Sequence, residues 1–192
     1  MDILEIARRR KTVREFKSEK ICLEDIIYCI KVAKEAPSGM NSQPWKFLVI
    51  TDEEKKEEIR KLCEEKEKNF HRKVKGELKE WLKEKRISWK KPFLQNSPAI
   101  VIVLSSKRAP YFTQSTWLAI GYFLLALEEK GLATVTYTPP NTEEIRECRG
   151  ISDDYKIEVI MPVGYSNDKK DKENRKSLEE IFYLNEWKAV VD

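Results

Sequence analysis

The stretch from Phe112 to Lys130 is apolar on nearly every face of a helix, and Gly131 follows in the C′ position that ends one. That feature constrains the fold more than any other. Charged side chains make up 36% of the 192 residues, so a helix without a polar face has to be the buried spine of the domain or part of a subunit interface. A chain of this length holds one domain with a sizeable core, and two would be a tight fit. The expectation is therefore a single domain over residues 1–192 built around this helix.

The other elements must supply its walls. Trp45 to Thr51 (WKFLVIT) and Pro98 to Ser105 (PAIVIVLS) are short apolar runs with turn signals nearby, the pattern of strands buried on both faces. Ala133 to Thr138 predicts a third strand, and Ile157 to Val163, closed by Gly164, a fourth. Periodicity and stop signals predict helices over residues 2–10, over 23–35 ahead of Pro37 and Gly39, and over 141–149 behind an Asn cap. Thr51-Asp52-Glu53-Glu54 has capping-box spacing, so a helix should begin there. From Asp52 to Lys91 the residues Leu62, Phe70, Val74, Leu78, Trp81, Leu82 and Trp89 recur at mostly helical spacing in a charged background. That predicts one long helix or a helical pair bent at Gly76, and residues 66–92 read as an insertion able to act as a lid, or as a solvated face that only packs. A polar linker over 167–176 leads to Leu178, Ile181, Phe182, Leu184 and Trp187, which must be buried against something, a partner chain included. The sum is an α+β domain with a central sheet between helices.

Composition excludes several functions. The net charge of +4 is carried by interspersed Lys and Glu rather than a basic tail, a weak basis for binding nucleic acid. No apolar run approaches the ~20 residues that span a bilayer, and no membrane association is expected. The start MDILEIARRR lacks the apolar centre of a signal peptide, and Cys22, Cys29, Cys63 and Cys148 show no CxxC spacing, which together predict a reducing cytoplasm. Cys22 and Cys29, seven apart, read as buried small hydrophobes on one helix face. The single histidine, His71, rules out a His-rich metal site, and no metal is expected. Redox chemistry would need a borrowed cofactor.

Two clusters carry chemistry. In Arg8-Arg9-Arg10-Lys11-Thr12-Val13-Arg14, guanidinium forks and a hydroxyl suit a phosphate monoester, although a solvated basic patch would look the same. No glycines fall in GxGxxG or GxxxxGK[ST] spacing, which counts against a Rossmann or P-loop cradle. In Ala36 to Trp45 (APSGMNSQPW) a helix ends, a Gly-containing loop turns back and two carboxamides precede a buried strand. That loop places N–H groups and amides where they can bond a planar heterocycle.

Taken together, RRKTVREF, APSGMNSQPWKF, GLATVTYTPPN, PVGY and RKSLEEI resemble the nitroreductase superfamily in the right order over nearly the whole chain. Within it, the APSG loop, the VTYTPPN strand end and the charged insertion look most like the iodotyrosine deiodinase branch. The resemblance implies a central mixed or antiparallel sheet flanked by helices, a C-terminal tail reaching a partner subunit, and a homodimer with FMN at the subunit interface. It also implies NAD(P)H as electron donor and a small aromatic substrate.

Residue by residue, the resemblance assigns Arg10, Lys11, Thr12 and Arg14 to the family's first FMN motif, and Arg175 to the basic position that meets the phosphate from the C-terminal side. Pro37, Ser38, Gly39, Asn41 and Gln43 match the loop that the partner lays against the flavin, and Thr136, Tyr137 and Thr138 the strand end beside the isoalloxazine edge. A cation such as Arg14 near N1 and O2 favours an anionic reduced flavin, and a hydroxyl from Thr138 at N5 favours one-electron steps, which makes Thr138 the catalytic candidate. For the substrate, Lys91 and Glu67 match the lid Lys and Glu that grip the amino-acid end of a halotyrosine in that branch. Phe70 or His71 stands where the branch has a Tyr, and Met40 replaces a small residue near the substrate. The best reading is reductive dehalogenation of halotyrosines; the rivals are general NAD(P)H nitro or quinone reduction, a flavin-carrying partner without turnover, and a basic helical nucleic-acid-binding module.

Overall fold

The computed structural model describes residues 2–187. Asp2 caps the first helix, α1 (Ile3–Arg9), its Oδ1 accepting the Glu5 N–H at 2.8 Å. Helix α2 (Leu23–Ala33) follows and ends before Pro37. Strand β1 (Trp45–Ile50) leads into α3 (Glu53–Lys73), which Asp52 caps through a 2.9 Å bond from the Lys55 N–H. Gly76, at φ +65°, sits at the break between α3 and α4 (Gly76–Glu84), so the charged region is a helical pair. A short α5 (Phe93–Asn96), which the sequence reading missed, precedes β2 (Ala99–Ser106). The spine is α6 (Phe112–Glu129), and Gly131 at φ +70° ends its last turn. Then come β3 (Ala133–Thr134), α7 (Glu143–Cys148) and β4 (Tyr155–Gly164).

The strands form one antiparallel sheet in the order β1-β2-β4-β3. Side chains alternate across it, as the pleat requires, except where a bulge leaves Glu158 of β4 without a partner in β2 and reverses the faces before it. Ala99, Val101 and Val103 of β2, with Val159, Met161 and Val163 of β4, face Ile26, Cys29 and Ala33 of α2 and Ala119, Ile120, Phe123 and Leu127 of α6. Ile100, Ile102 and Leu104, with Ile157 and Ile160, face Ile59 and Cys63 of α3, Phe93 and Leu94 of α5, and Ile145 of α7. Each fully buried large apolar side chain is worth about 2 kcal/mol, so two cores that share the sheet fix its register.

Four expectations need correcting. The helix α6 is not buried all round: Trp117, Leu118 and Tyr122 lie on a face that this chain leaves open, Leu118 being 49% exposed. Strand β1, at an edge of the sheet, is not buried on both faces: Lys46 is exposed and Phe47, Leu48 and Val49 are only partly buried. The third strand is a two-residue pair; the chain then leaves the ladder and touches β4 again at Tyr137 and Ile160, whose N–H groups each bond the other's carbonyl at 3.1 and 2.8 Å. Cys22 stands at the N-cap position ahead of α2 and is exposed, whereas Cys29 is buried as expected. The tail side chains Leu178, Ile181, Phe182, Leu184 and Trp187 are all more than half exposed, so they do not fold onto this chain's own core.

Candidate active site

The two ends of the chain meet at the C-terminal end of α1. Lys172 Nζ donates to the carbonyls of Ala7 and Arg8 at 2.7 and 2.9 Å, and Lys11 Nζ to those of Asp168, at 2.9 Å, and Lys170. These bonds clip residues 168–175 across the start of the fold and set Arg175 beside Arg10. The Arg10 guanidinium is held below its ordinary range, first by burial and then by Arg175, with Glu128 opposing. Lys172 is likewise lowered, by burial, Arg175 and Arg10. Arg10, Lys172 and Arg175 thus stand close enough to repel one another, with Glu128 opposing and Glu84, Asp168, Asp171 and Glu173 in the lining of the adjoining cleft.

Val13 anchors the next segment: it is buried, and its N–H bonds the Thr134 carbonyl at 3.0 Å. Its exposed neighbours Thr12 and Arg14 line an open cleft of about 580 Å³ together with Lys11, Lys172 and Arg175. Trp81 and Glu84 of α4, with Lys85, Arg86 and Ile87 after it, line the same cleft, so the charged insertion contributes to its wall.

The loop from Pro37 to Gln43 does not line that cleft. The Gly39 N–H bonds Ser115 Oγ of α6 at 3.1 Å, and Ser38 Oγ accepts the Gln43 N–H at 3.0 Å. A Cβ at Gly39 would come within 2.9 Å of the Tyr111 ring, so a larger residue there would have to displace it. Met40, Asn41 and Gln43 all have positive φ (54°, 52° and 43°), a conformation that costs non-glycine residues of order 1 kcal/mol or more and gathers at ligand-binding loops. Met40 is 86% exposed, the Gln43 carboxamide rests on that of Asn41 at 3.3 Å, and the buried Ser42 Oγ has no partner among the described residues.

At the third strand's end, Tyr137 is buried while Thr136 is half-buried and Thr138 exposed. Extended backbone thus points the two threonines away from the core. The Tyr137 hydroxyl donates to Glu67 Oε1 at 3.0 Å, and its ring meets Phe93 edge-on at 5.7 Å. Burial, with Cys63 and Glu67 nearby, raises the phenol far above its ordinary range. The other Glu67 oxygen lies 3.2 Å from Lys91 Nζ and 3.4 Å from His71 Nε2, one turn further along α3. Lys91 also donates its Nζ to Ser88 O at 2.7 Å and its backbone N–H to Glu64 Oε1 at 2.8 Å. The fold therefore gathers Glu67, His71 and Lys91 around one buried carboxylate, with Phe70 edge-on to His71 at 5.8 Å, and leaves Met40 elsewhere. Cys63 beside them is an inert thiol, pushed up to about 12 by burial.

Lys172, Trp81 and Ile87 were missed by the sequence reading. Lys172 belongs to NDKKDKENRK, where nothing in the pattern separates one cation from another before the chain folds back. The nucleic-acid reading loses its basic face: within α3 Lys61 pairs with Glu57 and Arg60 with Glu64, both at 2.8 Å, and Lys66 pairs with Glu144.

The nitroreductase family model matches residues 7–165. The chain belongs to the nitroreductase family. It is 53% identical over 176 residues to the iodotyrosine deiodinase of Thermotoga neapolitana, an alignment covering 92% of this chain and 95% of the relative. It is 34% identical to iodotyrosine deiodinase 1 of Mus musculus, over 94% of this chain and 68% of that protein. A crystal structure of oxidized iodotyrosine deiodinase bound to FMN and 3-iodo-L-tyrosine superposes with a TM-score of 0.93 at 52% identity, covering 97% of this chain and all of that one. A BluB-like flavoprotein from Clostridium difficile shares the fold, with a TM-score of 0.81 at 24% identity over 97% of this chain and all of that one. The resemblance read from the motifs thus holds at family and branch level, and the chain is an oxidoreductase of that family with an antiparallel α+β fold.

Proposed function

We propose that this protein is an FMN-dependent reductive dehalogenase of halotyrosines, working as a homodimer with one cofactor site at each end of the subunit interface. The observation that carries the reading is the meeting of Arg10 with Lys172 and Arg175 at the edge of a cleft lined by Thr12 and Arg14. Guanidinium and ammonium groups gathered together, with a hydroxyl beside them, fit a phosphate monoester. Arg14 lines the same cleft, where its cation would favour an anionic reduced flavin, and Thr138 offers an exposed hydroxyl at the strand end. When bound, FMN supplies the electrons, drawn from NAD(P)H, that replace a carbon–halogen bond with carbon–hydrogen.

A second copy explains what one chain leaves open. Trp117, Leu118 and Tyr122 on α6 are exposed apolar side chains, as are Ile3 and Leu4 on α1 and Leu23 and Ile27 on α2, the two helices packed against α6, and the tail side chains Leu178, Ile181, Phe182, Leu184 and Trp187 are exposed as well. The Pro37–Gln43 loop does not line the cleft beside its own cation cluster, as expected of a loop that serves the other subunit's site. Glu67 and Lys91 present a carboxylate and an ammonium together, the complement of an amino-acid zwitterion. In this reading the substrate's ammonium takes the place of Lys91 at Glu67 and its carboxylate engages Lys91, while α4 excludes water. Tyr137 holds the Glu67 carboxylate in position from behind.

The test is anaerobic: the flavin is reduced in the purified protein, which is then mixed in parallel with 3-iodotyrosine and with a nitroaromatic. Rapid reoxidation by iodotyrosine is expected. Reoxidation by the nitroaromatic alone would place the protein among general nitroreductases, and a colourless protein that FMN does not reconstitute would end the reading.

A further inference from the structure

We infer that Glu64 is a positioning residue for the amino-acid end of the substrate, acting through the backbone of Lys91; the inference rests on the halotyrosine reading above. Lys56, Arg60, Glu64, Glu67 and His71 follow one another along α3 at steps of three or four residues, so they form one stripe of the helix, and all five are buried or partly buried. That stripe holds the stretch from Lys91 to Ser97. Lys56 Nζ donates to the carbonyls of Gln95 and Ser97 at 3.3 and 2.6 Å, and Arg60 Nε to Gln95 Oε1 at 2.9 Å. The Lys91 N–H donates to Glu64 Oε1 at 2.8 Å.

Lys91 lies between α4 and α5 in residues that belong to no helix or strand, and it is buried, so neither a ladder nor bulk water satisfies its N–H. Glu64 does. Arg60 Nη1 meets the other Glu64 oxygen at 2.8 Å, which fixes the carboxylate and offsets its charge. Glu67, one turn further along, is then the carboxylate left for a substrate ammonium. The two acids grip Lys91 in different ways. Its Nζ contact with Glu67, at 3.2 Å, is the one that the substrate ammonium replaces, whereas the bond from its N–H to Glu64 takes no part in that exchange. Glu64 thus keeps the Lys91 backbone in place while the ammonium, on a flexible four-carbon stem, turns from Glu67 to the substrate carboxylate.

The experiment uses the full chain loaded with FMN and oxidised. The dissociation constant for 3-iodotyrosine is read from the change in flavin fluorescence in the wild type, Glu64→Ala, Glu64→Gln, Lys91→Met and the double variant Glu64→Ala with Lys91→Met. A lost hydrogen bond to a charged acceptor corresponds to about tenfold in affinity. Glu64→Ala should therefore weaken binding about tenfold, and Glu64→Gln, which keeps an oxygen for the Lys91 N–H, by no more than about threefold. A residue that acts through Lys91 must be coupled to it, so Glu64→Ala added to Lys91→Met should cost less than about twofold. Additive losses, or a Glu64→Gln protein as weak as Glu64→Ala, would overturn the assignment, as would undiminished affinity in Glu64→Ala. Should Glu64→Ala fail to fold, hydrogen exchange in the wild type decides: the Lys91 amide should exchange as slowly with 3-iodotyrosine bound as without it, and faster exchange on binding overturns the inference. A wild-type protein with no affinity for 3-iodotyrosine would refute the halotyrosine reading itself.

Discussion

Replacing Lys91 with Met keeps the length of the side chain and removes its charge, which isolates the ion pair with Glu67. The two side chains are 6% and 8% exposed and 3.2 Å apart, so both charges have given up most of their hydration. Breaking a buried pair by removing one partner typically costs about 3–5 kcal/mol, because the remaining charge stays buried. Glu67 keeps the Tyr137 hydroxyl at 3.0 Å and His71 at 3.4 Å, which places the expected loss at the low end, about 3 kcal/mol. Adding Glu67→Gln removes the stranded charge and retains an acceptor for Tyr137, so the double variant should recover about 2 kcal/mol of that loss. Guanidinium denaturation at neutral pH and fixed protein concentration measures all three, and the same variants report on substrate recognition. Lys91→Met should raise KM for 3-iodotyrosine by about tenfold or more, the equivalent of one lost charge-assisted bond, and leave KM for a nitroaromatic without an amino-acid end unchanged. A Lys91→Met protein within about 0.5 kcal/mol of the wild type, the range of an ordinary surface change, with no recovery in the double variant, would refute the view of this pair as a buried charged unit.

Three further outcomes follow from the site. Arg10→Ala and Arg175→Ala should each weaken FMN retention by about tenfold or more, read by equilibrium dialysis; unchanged affinity in both variants would remove the phosphate assignment. Thr138→Ala should leave FMN affinity nearly unchanged and shift an anaerobic reductive titration from one-electron toward paired-electron behaviour, so an unaltered titration would show that this hydroxyl does not address the ring. Burial alone would raise the Glu158 carboxyl, but hydrogen bonds from Ser105 at 2.6 Å, Lys156 at 3.0 Å and Thr113 at 2.8 Å more than reverse this and hold it below the usual carboxylate range. A carboxyl lowered by folding contributes stability above its unfolded value of about 4.3 and loses it as pH falls through the folded value. Glu158→Gln should therefore flatten the decline in stability below about pH 4.5, and a decline as steep as in the wild type would contradict the assignment.

The motifs that carry local geometry were legible in the sequence. The apolar run 112–130, the capping spacing at Asp52 and the glycines at 76 and 131 each specify a structure within a few residues, and each is found. Strand edges were not legible, because the apolar pattern of β1 reports burial without reporting how many neighbours a strand has. The same limit explains α6: its open face cannot be told from its buried ones by hydrophobicity, since both are apolar. At the site, Arg10 and Arg175 could be paired from motif resemblance, yet Lys172 becomes visible only when the 168–175 segment is seen lying across α1. Tyr137 was assigned with its neighbours to the flavin edge, whereas it is buried behind Glu67, because an extended segment reverses its side chains at every residue and the motif VTYTPPN does not say which of them face inward.

The central claim is that electrons held by a phosphate-anchored flavin leave this site through a carbon–halogen bond. A single turnover without oxygen tests it most directly: the fully reduced protein is mixed with excess 3-iodotyrosine, and iodide and tyrosine are quantified against flavin reoxidised. One iodide and one tyrosine per flavin are expected. Reoxidation without iodide release, or no reoxidation at all, would contradict the account.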